Sequence, residues 1–224
     1  MKKYILISKI VLLLMVSCNE DKKEVKQTNT KELTILEKVA NANGYENWKN
    51  IISLKFTFNV DRDSSHFERT WLWKPKTNDV VFTTREDTLR YNRMTMDSTL
   101  MKTDRGFIND KFWLLAPYQL VWDQHNFTHE HDTTALAPIS KEAMQKLTIV
   151  YGNEGGYTPG DAYDFYFGKD LKLKEWVFRK GNQEAPIMIT SWEDYKNING
   201  LHIAHMHKMP ESNFKLYFTG LEVR

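Results

Sequence analysis

Histidine is the residue type whose spacing in this chain speaks most directly of chemistry. His129 and His131 lie two apart, and so do His205 and His207. In extended backbone each pair projects from one face. Two such pairs brought together would make a Zn²⁺ site, with Glu130 or Asp132 orienting a ring. That is one reading, a His-based metal-dependent enzyme. The other is a set of unliganded histidines on strands and loops, with no metal and no cofactor. Asp123, Glu154, Asp161 and Asp164 have the chemistry for paired acid and base work, but no motif singles out a pair. The chain contains no Gly-x-Ser-x-Gly elbow. The glycine-rich stretch 152–160 lacks the Lys-Ser/Thr of a phosphate loop and reads as a turn-rich connection. On balance the residues point to a protein that is not an enzyme.

The aromatic residues are the second feature with chemical potential. There are seven Trp, ten Tyr and twelve Phe, enough to line one face of a sheet. Trp71, Trp73, Phe82 and Tyr91 fall on adjacent expected strands, and Phe112 and Trp113 on a segment expected to cover them. Such rings either fill the core of a thin curved sheet or line a pocket for a hydrophobic ligand. The second reading makes these six the candidate ligand-binding residues.

Composition removes several classes. The net charge of +2 over 224 residues, without a basic stripe, gives no support to a nucleic-acid partner. No apolar run reaches the roughly 18 residues of a spanning helix, which excludes a polytopic helical membrane protein. Hydrophobic residues make up 41% of the chain, enough for a real core.

Cys18 is the sole cysteine, so it forms no intrachain disulfide. Its position is more telling. Lys2, Lys3 and Lys9 precede an apolar run from Ile10 to Val16, then Ser17 and Cys18. This is the layout of a secretory signal. The stretch Leu14-Met15-Val16-Ser17-Cys18 resembles a bacterial lipoprotein signal. The resemblance implies that residues 1–17 are removed and that Cys18 carries acyl chains such as palmitate. Two or more chains give a stable anchor while the folded body stays in water. Residues 18–29 are almost wholly polar and read as a flexible tether. Losing the three lysines takes the net charge from +2 to −1, so the slight basic balance belongs to the signal.

The elements that must position the aromatics and histidines are mostly strands. A helix is expected over about Thr30–Asn41, from Leu33, Leu36 and Ala40 at helical spacing, with Thr30 as N-cap. From Ile52 the pattern has period two. Leu54, Phe56, Phe58 and Val60 alternate with polar residues, then Phe67, Arg69, Trp71 and Trp73, then Val80 and Phe82, then Leu89 and Tyr91. Between Asp104 and Ser140 the rhythm breaks. Pro117 interrupts the bulky stretch Asn109–Trp122, which reads as a short helix followed by an irregular packed segment. His125–Pro138 reads as a polar excursion and Lys141–Lys146 as a single helical turn. Strands resume at 147–151, 163–167, 171–178, 187–194, 201–209 and 214–223, with Asn197–Gly200 as a hairpin turn. The count is about ten strands. Their edges must be closed or covered, by a curved sheet with a helix against it, a closed barrel or a sandwich.

Several motifs occur in order: Trp71-Leu72-Trp73, Asn109–Pro117, Tyr157–Tyr163, Trp176–Arg179 and Trp192–Leu201. Together they are similar to a family of uncharacterised bacterial outer-membrane lipoproteins related to the LolA/LolB-like carrier and receptor fold. The resemblance covers about Leu33 to the C-terminus. It implies a mainly β, α+β domain over residues 30–224, a single curved antiparallel sheet or half-open barrel. An N-terminal helix and short helices would cover its concave side. It further implies a non-catalytic protein anchored to the outer membrane, with a lipid or lipoprotein acyl chain as ligand. A structural, partner-binding envelope lipoprotein is a third reading.

Overall fold

Alternating burial on antiparallel strands organises the described residues. The computed structural model describes residues 32–224, of which Leu33–Arg224 form one compact unit. The signal segment 1–17, Cys18 and the stretch that follows it up to residue 31 lie outside the described residues. Twelve strands are present among the described residues: β1 Leu54–Arg62, β2 Ser65–Lys74, β3 Asp79–Thr83, β4 Thr88–Asn92, β5 Phe127–Leu136, β6 Ala143–Tyr151, β7 Ala162–Phe167, β8 Leu173–Arg179, β9 Met188–Ser191, β10 Glu193–Ile198, β11 Leu201–Lys208 and β12 Lys215–Val223. Two α-helices accompany them, α1 Ile35–Ala42 and α2 Met101–Trp122.

The strands form two antiparallel sheets, which fits the half-open barrel of the two expected arrangements and not the single curved sheet. The larger runs in the order β10-β11-β12-β1-β2-β3-β4 and the smaller β5-β6-β7-β8-β9. Only Trp192 separates β9 from β10, so the chain passes from one sheet to the other within one residue there. The remaining edges are β4 and β5, and α2 is the segment that joins them. α2 packs on the inner faces of both sheets, Phe107 against Trp71 and Trp73 and Trp113 against Trp176 and His207, and among the described residues no closed barrel forms. The mainly β, half-open architecture is the one expected; the strands number twelve rather than about ten.

Side-chain alternation sets the inner face. Leu54, Phe56 and Phe58 of β1, Trp71 and Trp73 of β2, and Leu216 and Phe218 of β12 are buried in one core. Leu147 and Ile149 of β6 and Tyr163 and Phe165 of β7 belong to the same core from the smaller sheet. On β8 a bulge between Leu173 and Glu175, opposite Tyr166–Phe167, resets the pleat. It lets Leu173, Trp176 and Phe178 share the inner face, which simple alternation would not allow.

Three segments differ from expectation. The first helix is capped by Thr34 and begins at Ile35, whereas the expected cap, Thr30, lies outside the described residues. The Thr34 hydroxyl accepts from the Glu37 amide at 3.2 Å, and the Glu37 carboxylate accepts from the Thr34 amide at 2.7 Å. This capping box is worth about 1 kcal/mol. Asn109–Trp122 is not a short helix with an irregular tail but part of the 22-residue α2. Its second half is buried on every side, from Asp110 to Leu120, so no polar face marks it as helical. The excursion His125–Pro138 contains the edge strand β5, whose outward residues are polar, and Lys141–Lys146 leads into β6 instead of forming a helical turn.

Candidate functional site

The site with the most unusual chemistry is the space between α2 and the inner face of the sheets. The N-terminal half of α2 is held by two buried carboxylates. Asp110 accepts Arg69 Nε at 2.6 Å and Nη2 at 2.7 Å, and the Trp71 indole N–H at 2.7 Å. Asp104 accepts Arg93 at 2.8 and 3.0 Å and the Tyr91 hydroxyl at 3.0 Å. Bidentate guanidinium pairs fix orientation as well as position. Burial pushes the Asp110 carboxyl up from its ordinary value, against Arg69, Trp71 and Asn109.

Past Asp110 the attachments change character. Leu115 leaves helical geometry at φ −126° and ψ 25°, and Pro117 follows. Proline cannot donate to the carbonyl of Trp113, so α2 kinks there. Tyr118 donates to the Asn43 carbonyl at 2.6 Å. Lys111 is buried with its ammonium 5.0 Å from the centre of Trp122 and 5.5 Å from Trp73, and 3.4 Å from Gln119 Oε1. Desolvation lowers its pKa to about 8.

Just before the kink, Phe112 and Trp113 join a second group of aromatics. Phe112 stacks on Tyr157 at 3.8 Å, and Trp113 meets Trp176 at 4.5 Å and His207 at 5.3 Å. Trp192 meets His207 at 4.3 Å and Trp176 at 5.8 Å. Among the described residues, both His207 ring nitrogens, the indole nitrogens of Trp176 and Trp192, and the Thr190 hydroxyl have no hydrogen-bond partner. All four residues are at most 3% exposed. Burial holds the His207 pKa down to about 3; the Ser191 backbone pulls the other way, without the alignment of a hydrogen bond. The ring is therefore neutral at physiological pH.

The six aromatics named from the sequence divide between two places. Trp71 and Phe82 pack at 4.6 Å beneath the N-terminal half of α2, and Phe107 bridges Trp71 and Trp73 at 5.5 Å each. Tyr91 bonds Asp104, while Phe112 and Trp113 face the smaller sheet. The rings fill the space they share. Leu114, Tyr118, Trp192, Tyr195 and Ile203 border a crevice too tight for a water molecule. A concavity of about 560 Å³ lies elsewhere, over the outer face of β2–β4 at Leu72, Val81 and Arg90.

The histidine pairs do not share a strand or a sheet. His129 is exposed on β5, and His131 bonds Gln145 at 3.1 Å over Phe167. His205 and His207 both face inward on β11. Among the described residues no cluster of three or more His, Cys, Asp or Glu is placed to hold a metal ion. Sequence reasoning missed Arg69, Arg93, Asp104, Asp110 and the orphaned indoles as members of a site. A carboxylate repeated at positions 104 and 110 beside bulky apolar residues was the available signal.

No protein-family model and no curated protein matches the chain. Solved structures do. A LolA superfamily protein from Nitrosomonas europaea superposes with a TM-score of 0.51 at 8% identity, over 85% of this chain and 92% of that one. The fold is LolA-like. A DUF1329 family protein from Desulfovibrio piger gives a TM-score of 0.46 at 9% identity, over 85% of this chain and 94% of that one. At such identities the likeness concerns the LolA-like fold alone.

Proposed function

We propose that this protein is a non-catalytic, lipid-anchored envelope carrier that takes a hydrophobic ligand, a lipid or an acyl chain, between α2 and its sheets. One observation carries the reading. An inner face built almost wholly of aromatic and aliphatic side chains is covered by a helix that is ion-paired at one end and kinked at the other. Apolar contacts are non-directional and can be exchanged for those of a chain-like ligand. The polar grips at Asp104 and Asp110 keep the N-terminal half of α2 in place, while beyond Leu115 the helix is held by the Tyr118 bond to Asn43 and by apolar packing, which a ligand would exchange. The anchor in this reading is Cys18, and the location is the outer membrane.

The test is mass spectrometry of the full chain purified from its native membrane. Stoichiometric lipid is expected to co-purify, and a fluorescent fatty acid to bind. If neither occurs, the carrier reading fails.

A further inference from the structure

We propose that His207, Trp192, Trp176 and Thr190 form the polar seat for an uncharged acceptor, the ester carbonyl of an acylated ligand, at the inner end of the space under α2. The inference rests on the carrier reading and names the ligand's chemistry.

The first observation is that these groups are orphaned together. Thr190 and Trp176 are cross-strand partners on β9 and β8. Trp176 lies 5.8 Å from Trp192, and Trp192 lies 4.3 Å from His207. Each carries a polar atom without a partner among the described residues. Buried polar atoms are rarely left unpaired, and a contiguous set of them needs an explanation. Two indoles donate only, a neutral imidazole donates from one nitrogen and accepts at the other, and a hydroxyl does either. The set is rich in donors, so its complement is an acceptor. A carbonyl oxygen has two lone pairs to offer.

Charge decides which acceptor. Glu175, Glu193 and Lys208 are the charged neighbours in sequence of Trp176, Trp192 and His207. Alternation along the strands puts them on the opposite face. Glu175 is engaged by the Ile139 and Ser140 amides, and Glu193 by Lys208. None of these three therefore offers the seat a cation, and burial lowers the pKa of His205, the titratable neighbour on the same face of β11, so a carboxylate there would be a buried anion without a partner among them, which is costly. An ester carbonyl has the acceptor without the charge. Trp113 covers Trp176 and His207 from α2, two residues before the distorted Leu115, so a ligand that reaches the seat displaces this ring.

The experiment measures retention of isotope-labelled methyl hexadecanoate, hexadecanoate and hexadecane by the full chain and by His207→Phe and Trp192→Phe. The unsubstituted chain is expected to hold the ester more tightly than the acid or the hydrocarbon. Each variant should lose about tenfold for the ester and nothing for the hydrocarbon. Equal losses for both would mean that the residues only pack, and would overturn the proposal. So would tighter binding of the acid than the ester. If the unsubstituted chain retains none of the three, the carrier reading falls and takes this inference with it. Should His207→Phe fail to fold, Trp192→Phe decides by the same comparison, because it keeps an aromatic ring and removes the indole donor.

Discussion

Arg69 on β2 grips Asp110 on α2 through two hydrogen bonds of 2.6 and 2.7 Å, and the carboxylate they hold is wholly buried. This pair ties the covering helix to the sheet at a point where Trp71 also donates. Arg69→Ala would leave the carboxylate without its countercharge. A loss on the order of 3 kcal/mol in urea unfolding is expected, together with increased binding of a hydrophobic dye. An unchanged midpoint would mean that the pair is not what holds α2.

The buried ring of His207 predicts a pH dependence. Its folded pKa is depressed to about 3, below the unfolded value near 6.5. The unfolded chain therefore binds the proton first as pH falls. The ring's contribution to stability is fully present above about pH 6.5 and declines as pH falls toward 3. Thermal melting of the unsubstituted chain should drop across this window more steeply than that of His207→Phe. Parallel curves would show that another group governs the acid limb.

Gly44 has φ +89°, and a Cβ there would lie 2.1 Å from the Gly200 carbonyl oxygen. That oxygen also accepts from Asn47 at 3.0 Å, which joins the 3-10 turn Tyr45–Asn50 after α1 to the β10–β11 turn. Gly44→Ala combines left-handed strain with a backbone clash. A destabilisation of at least about 2 kcal/mol is expected from chemical denaturation. Gly181 has φ +58° with open space around it, so Gly181→Ala should cost less.

Membrane attachment has a separate test. Cys18→Ala should move the protein from the membrane fraction to the soluble fraction on fractionation of cells. Continued sedimentation with membranes would point to another anchor.

Much of the β architecture was legible because one-sided burial writes period two into the sequence. Leu54, Phe56 and Phe58, or Trp71 and Trp73, announce their inward face directly. The edge strand β5 was not legible, since its segment Thr128–Glu130 is exposed and carries no apolar alternation. The length of α2 was hidden for the opposite reason: residues 110–120 are buried all round, and Pro117 reads as a terminus when the tertiary packing turns it into a kink. The division into two sheets was legible only as one alternative among three, because the crossing at Trp192 leaves no gap between strands.

The sequence by itself determined that the chain is mainly β with an aromatic inner face, because local alternation and composition require no knowledge of neighbours. The stretch Leu14–Cys18 resembles a lipoprotein signal. Only the tertiary structure decided which polar groups meet. Arg69 and Asp110 are 41 residues apart, and Trp176, Thr190, Trp192 and His207 come from three strands and the corner joining the sheets. Pairings of that kind depend on strand order and helix placement, and a buried polar group reveals its role only when its surroundings are known.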